Sequence, residues 1–199
     1  KVTHCDFIIH LAGVNRPENE SDFFEGNSNL TKLIVNILEK NNLKTPVIYS
    51  SSIQAELNNP YGLSKKYAED ALSHYSNKSG ALVCNYRLPN VFGKWCKPNY
   101  NSAVATFCHN TINDLPIKIN DPSALISLVY IDDVVNEFIS VIKATLKDDY
   151  SSFANNFEVK PVYKISVGEL AKQLQSFKDS KITHIVERVG TDFTRALYS

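Results

Sequence analysis

The chain has 199 residues, enough for one sizeable domain with its own core, and its 43% hydrophobic and 21% charged content is that of an ordinary globular protein. Its 21 Lys plus Arg balance 21 Asp plus Glu, so no strong field draws it to nucleic acid or to an anionic membrane surface. There is no apolar run of the ~18 to 20 residues a transmembrane helix needs and no signal-peptide pattern, and Cys5, Cys84, Cys96 and Cys108 show no CxxC spacing, which together read as a cytoplasmic protein with reduced thiols.

Methionine is absent, and Lys1 to Ile9 lead straight into an apolar pattern, which predicts an internal piece of a longer protein. Asp6 to Gly13 reads as a strand buried on both faces. From Asp22 to Asn41 the residues Phe23, Leu30, Ile34, Ile37 and Leu38 recur at helical spacing. Asn27 falls on that stripe, and a buried amide there is either a structural bracket, the commoner case, or part of a polar site. Thr45 to Ser50 is the next strand, Tyr61 to Asn77 the next helix, ended by Ser79-Gly80, and Ala81 to Leu88 a third strand.

Strands alternating with helices predict right-handed crossovers and a parallel sheet, with ligands beyond the carboxyl ends of the strands. Three such ends, His10 to Gly13, Ser50 to Ser52 and Leu88 to Gly93, are expected to converge on one crevice. The segment from Pro89 to Asn101 reads as a long functional loop, its Trp95, Lys94 and Lys97 forming a wall for a negatively charged, partly planar ligand such as a nucleotide. The plainer reading is a solvated loop with Trp95 plugging a gap. Ser102 caps a helix to Asn113; Leu115–Ile119 and Leu125–Ile131 are expected strands; Asp132 caps a helix carrying Val134 to Ile142. Ser166-Val167-Gly168-Glu169 is a capping box opening a last helix, and beyond Ser180 the pattern fades as at a linker.

The chemistry concentrates between Ser50 and Lys65. Helical spacing puts Tyr61 and Lys65 on one face, one turn apart. A tyrosine, with an ordinary pKa near ~10, is a poor proton partner at neutral pH, and a neighbouring ammonium is expected to lower that value. Ser52 can hydrogen-bond the same substrate oxygen. His4, His10, His74, His109 and His184 are scattered without ligand spacing, so no metal site is expected.

These residues resemble the motifs of the extended short-chain dehydrogenase/reductases that act on nucleotide sugars. Tyr61-Gly62-Leu63-Ser64-Lys65 is similar to the family's YxxxK, His10-Leu11-Ala12-Gly13 to its HLAA/G strand end, and Ser50-Ser51-Ser52 to its serine segment. Leu88 to Gly93 resembles its RxxNVYG loop, Tyr130 to Val134 its V-D-D-V motif, and Asn27 sits where the family places a helix asparagine. The resemblance spans His4 to Lys178. It implies a Rossmann-like doubly wound parallel α/β sheet, N-terminally truncated, with a small C-terminal substrate-binding subdomain. The implied division is 1–93 as part of the cofactor-binding core, 94–180 as a substrate-binding subdomain interleaved with late Rossmann elements, and 181–199 as a linker.

The resemblance further implies catalytic Ser52, Tyr61 and Lys65, with Asn27 supporting a proton relay behind Lys65. Leu11, Ala12, Gly13, Ser50, Tyr61, Lys65, Leu88, Asn90 and Val91 are the implied cofactor contacts. Asn15, Arg16, Ser52, Gln54, Asn90 and Lys94 are the implied substrate contacts, with a solvated salt bridge as the plain reading of each charge. Phe92-Gly93-Lys94-Trp95-Cys96 and the short gap between Ser52 and Tyr61 are similar to a branch of the family serving bacterial capsular polysaccharide synthesis, whose members carry a C-terminal cupin domain that epimerises the sugar. The expectation is an NADPH-dependent reductase of the C4 ketone of a UDP-linked 6-deoxy-hexulose, with no epimerase activity from this chain. Helices around Leu30–Leu38 and Ala68–Tyr75 resemble those that form a four-helix dimer bundle in this family, which implies a homodimer. The family's glycine-rich GxxGxxG turn would precede His4, so this piece alone is expected to bind cofactor weakly or not at all. Ile53-Gln54 stand where a dehydratase has Asp-Glu, which disfavours dehydration. The alternatives are a UDP-sugar 4-epimerase, which would retain NAD tightly, and a non-catalytic fragment or oligomerisation module, which would bind no cofactor.

Overall fold

The computed structural model describes residues 2–147, 157–185, 188–190 and 192–199. The chain divides into two compact units, Lys1–Leu88 with Phe138–Glu158, and Pro89–Glu137 with Val159–Ser199.

In the first unit the strands β1 (Ile8–His10), β2 (Val47–Ser52) and β3 (Val83–Leu88) form a parallel sheet in the order β1-β2-β3. β2 is central, and Val47, Ile48 and Tyr49 are fully buried, as a strand covered on both faces requires. β1 departs from the expectation of burial on both faces: with one strand neighbour among the described residues, it buries His10 but leaves Ile9 45% exposed.

The expected helix of residues 22–41 has a wider middle. A short α1 (Ser21–Phe23) runs through a π-helical turn, Phe24–Asn29, into α2 (Leu30–Lys40). Such turns are rare and fall frequently at functional sites, and this one carries the buried Asn27. α3 (Pro60–Ser79) starts where Asn59 accepts a hydrogen bond from the Gly62 amide at 2.7 Å, with Pro60 in the first turn, and stops at Gly80 in the left-handed conformation. The 3-10 turn Ile53–Glu56 lies directly on its first turn. A Cβ at Gly62 would stand 2.2 Å from the Gln54 carbonyl oxygen, so glycine there permits the short connection between Ser52 and Tyr61. Val35, Leu38, Val47, Tyr49, Ala68, Leu72, Tyr75 and Ala81 make this unit's apolar core.

In the second unit β4 (Asn90–Phe92) pairs parallel with β5 (Leu125–Tyr130), which pairs antiparallel with β6 (Tyr163–Ser166). Ser102 caps α4 (Ala103–Ile112), and Ser166 with Glu169 forms the expected capping box of α6 (Val167–Thr183). Phe92, Leu128, Tyr130, Leu170 and Leu174 centre the core.

Four expectations are corrected in this unit. Residues 115–119 form no strand: Ile117 and Ile119 pack their side chains on the core, but their backbone joins no ladder. Asn90–Phe92, read as loop, is a strand. Asp132 lies inside the first turn of α5 (Ile131–Thr145), and its carboxylate pairs with Lys94 at 3.0 Å. Within the stretch read as a linker, α7 (Asp192–Tyr198) buries Ala196 and Leu197 in the core.

Candidate active site

At the carboxyl end of β2 three consecutive serines meet one face of α3. The Lys65 ammonium donates to the Ser50 carbonyl oxygen at 3.1 Å, the Ser51 hydroxyl donates to Glu69 Oε1 at 2.5 Å, and the Ser52 hydroxyl faces Tyr61. Tyr61, Lys65 and Glu69 stand at positions i, i+4 and i+8 of the helix, which places them in a row along it. The Ser52 oxygen also accepts the Gln54 amide at 3.2 Å, which orients it; the Gln54 side chain itself is exposed. Leu88 lies beside Ser52 in strand register.

Asn27 ties a third segment to this row. Its amide nitrogen donates to the Val14 carbonyl and to Ser64 Oγ, each at 2.9 Å, and its oxygen accepts the Val14 amide at 2.9 Å. Ser64 in turn donates to the Tyr61 carbonyl at 2.7 Å. The side chain is therefore a bracket between the loop after β1 and the first turns of α3. Gly13 passes so close that an added Cβ would lie 2.6 Å from Asn27 Oδ1 and 3.1 Å from Lys65 Nζ. Leu11, Ala12 and Gly13 are exposed along this loop, Asn15 is half-buried and Arg16 exposed.

The electrostatics are those of a buried cation. Lys65 is 5% exposed, and burial brings its pKa down to about 8, with the Glu69 charge opposing that shift. Its ammonium sits 5.0 Å from the centre of the Tyr49 ring. His10, buried beneath, has Nε2 2.8 Å from Thr31 Oγ1, whose own proton goes to the Asn27 carbonyl; burial, and then the Lys65 charge, lower its pKa to about 4. The imidazole is thus neutral at pH 7. The expectation that Lys65 lowers the Tyr61 pKa is corrected: burial raises it, and what opposes the rise is the Ser52 hydroxyl. The ammonium is 6.0 Å from the centre of the Tyr61 ring.

Asn90, Val91 and Lys94 belong to the second unit. The Asn90 amide donates to the Ser127 carbonyl at 3.2 Å, Val91 is half-buried on β4, and Lys94 is held by Asp132 in a half-exposed ion pair. Trp95 is 98% exposed, so it plugs no gap. Sequence reasoning missed Glu69, Ser51 and Arg87. The signal was an acid one further turn along the helix face already carrying Tyr61 and Lys65.

The chain belongs to the NAD dependent epimerase/dehydratase family, whose profile matches residues 1–152. It is 54% identical over 198 residues to the UDP-2-acetamido-2,6-beta-L-arabino-hexul-4-ose reductase of Pseudomonas aeruginosa, covering 100% of this chain and 52% of that protein. It superposes on the capsular polysaccharide assembling protein CapF of Staphylococcus aureus with a TM-score of 0.84 at 40% identity, over 100% of this chain and 53% of that one. The chain therefore spans about half the length of these relatives. The fold is shared more widely: the UDP-glucuronic acid 4-epimerase of Bacillus cereus, 15% identical, superposes with a TM-score of 0.71 over 93% of this chain and 62% of that one.

Proposed function

We propose that this chain carries the proton-handling half of a nucleotide-sugar reductase that uses NADPH to reduce the C4 ketone of a UDP-2-acetamido-2,6-dideoxy-hexulose for capsular polysaccharide synthesis. The observation that carries the reading is the convergence of Ser52, Tyr61 and the buried Lys65 ammonium at one strand end, on a chain 54% identical to a reductase named for that sugar. The residues present fit a nicotinamide nucleotide. The Lys65 ammonium has three protons and, among the described residues, one hydrogen-bond acceptor, the Ser50 carbonyl, which leaves donors for ribose hydroxyls, and Gly13 keeps the approach to it free of a side chain. When bound, that cofactor supplies hydride.

The chain's own part is the proton. Tyr61, kept protonated by burial, donates to the oxygen on which charge develops, and Ser52 hydrogen-bonds the same oxygen. Lys65 holds the cofactor ribose and presents positive charge beside the pair. Leu11, Ala12, Gly13, Ser50, Leu88, Asn90 and Val91 complete the proposed cofactor contacts, and Asn15, Arg16, Gln54, Asn90 and Lys94 those to the substrate. Asn27 backs Lys65. The division of labour is a cofactor-binding core over 1–93 and a substrate-binding subdomain over 94–180. We place the protein in the cytoplasm; none of the described helices is long and apolar enough to cross a membrane.

The partner is a second copy. Leu38, Ala68, Leu72 and Tyr75 are used up in the core, which leaves Leu33 and Tyr67, 56% and 44% exposed, as the apolar contacts such a dimer would take. Titration with NADPH and NADH, read by nicotinamide fluorescence, followed by an assay on the 4-keto sugar, tests the proposal. Saturable binding that weakens in Lys65→Ala, with turnover falling about 10²- to 10⁴-fold in Tyr61→Phe, is the expected result. A folded chain that binds neither nucleotide would overturn it, and NAD retained through purification with interconversion of C4 epimers would replace it by an epimerase.

A further inference from the structure

Beyond the serine, tyrosine and lysine lies a second buried ionic group. Glu69 is 5% exposed on α3, one turn past Lys65. It accepts the Ser51 hydroxyl at 2.5 Å, and Arg87 of β3 reaches it with Nε at 3.0 Å and Nη2 at 2.7 Å. Arg87 extends its remaining nitrogen to Glu56 of the 3-10 turn at 3.0 Å. A buried carboxylate held by a forked guanidinium and a hydroxyl is geometrically fixed, and removing one partner of such a group costs more than a surface pair ever contributes.

The position is what gives this cluster a consequence. Ser51 lies between the residue whose carbonyl holds Lys65 and the residue whose hydroxyl faces Tyr61. Fastening Ser51 to the helix sets the strand end against both at once, and Arg87 ties the same point to the neighbouring strand. We propose that Glu69, clamped by Ser51 and Arg87, is a positioning residue for the Tyr61–Lys65 pair, locking the end of β2 onto α3 and placing a fixed negative charge one helical turn from the Lys65 ammonium.

Among the described residues, the other groups facing Lys65 do not supply that charge. Beneath it are neutral His10 of β1, the Tyr49 ring and Ser50 carbonyl of β2, and Asn27 of the π-helical turn; Tyr61 on α3 is a neutral phenol. Lys66 pairs outward with Asp70 at 3.1 Å. Glu69 is the carboxylate that opposes the effect of burial on Lys65.

This inference rests on the proposed role of Lys65, but its test is independent of catalysis. The Lys65 side chain is titrated by NMR in the lysine-labelled chain, as wild type, Glu69→Gln and Glu69→Asp. The wild-type midpoint of about 8 should fall by about one unit in Glu69→Gln and be largely restored in Glu69→Asp, where the charge returns. An unmoved midpoint in folded Glu69→Gln, or an equal fall in both variants, overturns the proposal. Where Glu69→Gln does not fold, Arg87→Gln answers: it keeps the carboxylate and removes its neutralising cation, so the Lys65 midpoint should rise, and an unchanged midpoint overturns the proposal. In the assay, the alkaline limb of turnover should move to lower pH together with the NMR midpoint in Glu69→Gln. A limb that stays while the midpoint moves would separate Glu69 from the chemistry and overturn the positioning role. Absence of any reductase activity, with the NMR shift intact, would instead sink only the function proposed for the site.

Discussion

The two units of this chain use polar residues in opposite ways. In the first, Lys65, Glu69, His10 and Asn27 are buried, each at 5% exposure or less, and are joined by hydrogen bonds that cross between elements. In the second, a cluster of Phe92, Tyr130, Leu170 and their neighbours fills the centre, while much of the polar work is done at element ends, by Ser102, by the Ser166–Glu169 box and by the half-exposed Lys94–Asp132 pair. The difference teaches where to look for chemistry. Buried charge is costly unless it is partnered, so its presence marks a site that constrains its surroundings, whereas caps and surface pairs stabilise locally and little more.

The sharpest way to break this comparison is Asn27→Leu. It would leave the Val14 amide and carbonyl and the Ser64 hydroxyl without their partner, and should destabilise the first unit by about 4 kcal/mol in urea unfolding. A loss no larger than that of a helix cap would mean that the buried network is dispensable.

Acid titration comes next. His10 is neutral in the fold, with a pKa of about 4 against 6.5 when unfolded, so the unfolded chain binds the extra proton between those values. The stability this represents is full above pH 6.5 and is lost as pH falls through 4, about 3 kcal/mol in all. Unfolding midpoints measured from pH 7 to 4 should fall more steeply for wild type than for His10→Gln; parallel slopes would remove the imidazole from the account. Lys65 acts in a higher window with the same sign: its lowered pKa means stability rises as pH climbs from about 8 toward 10.5.

Gly13→Ala is smaller. Its Cβ would press on Asn27 Oδ1, and a cost of about 2 kcal/mol is expected, together with weaker nicotinamide binding in a fluorescence titration. In the second unit Ser166→Ala should cost about 1 kcal/mol through loss of the cap, read as a shift in the urea midpoint. Lys94→Gln, which breaks a half-exposed ion pair, should leave that midpoint where it is.

Much of the first unit was legible in advance because its signals are local. Pro60 at the start of α3 and Gly80 at its end act through the chemistry of single residues, and the spacing of Tyr61 and Lys65 is set by the helix repeat. The stretch 115–119 shows the limit. Its apolar residues correctly announce a side facing the core, but a strand also needs a partner ladder, and periodicity carries no information about what lies alongside. Tyr61 shows the same limit in electrostatics. The neighbouring ammonium was visible in the spacing, while the burial that raises the phenol's pKa depends on tertiary packing such as the Phe23 ring, centred 5.7 Å from that of Tyr61.

The sequence by itself therefore determined the alternation of strands and helices in the first unit, the caps at Ser102 and Ser166 and the placing of Tyr61 and Lys65 on one face of α3, since each follows from neighbours within a turn or two. Tertiary structure alone decided which of those side chains are buried and what holds them: that Asn27 brackets the loop after β1, that Ser51 and Arg87 converge on Glu69, and that Lys65 stays in the core against the Ser50 carbonyl. Desolvation and hydrogen bonds between distant segments depend on where the chain returns in space, and no local repeat encodes that return.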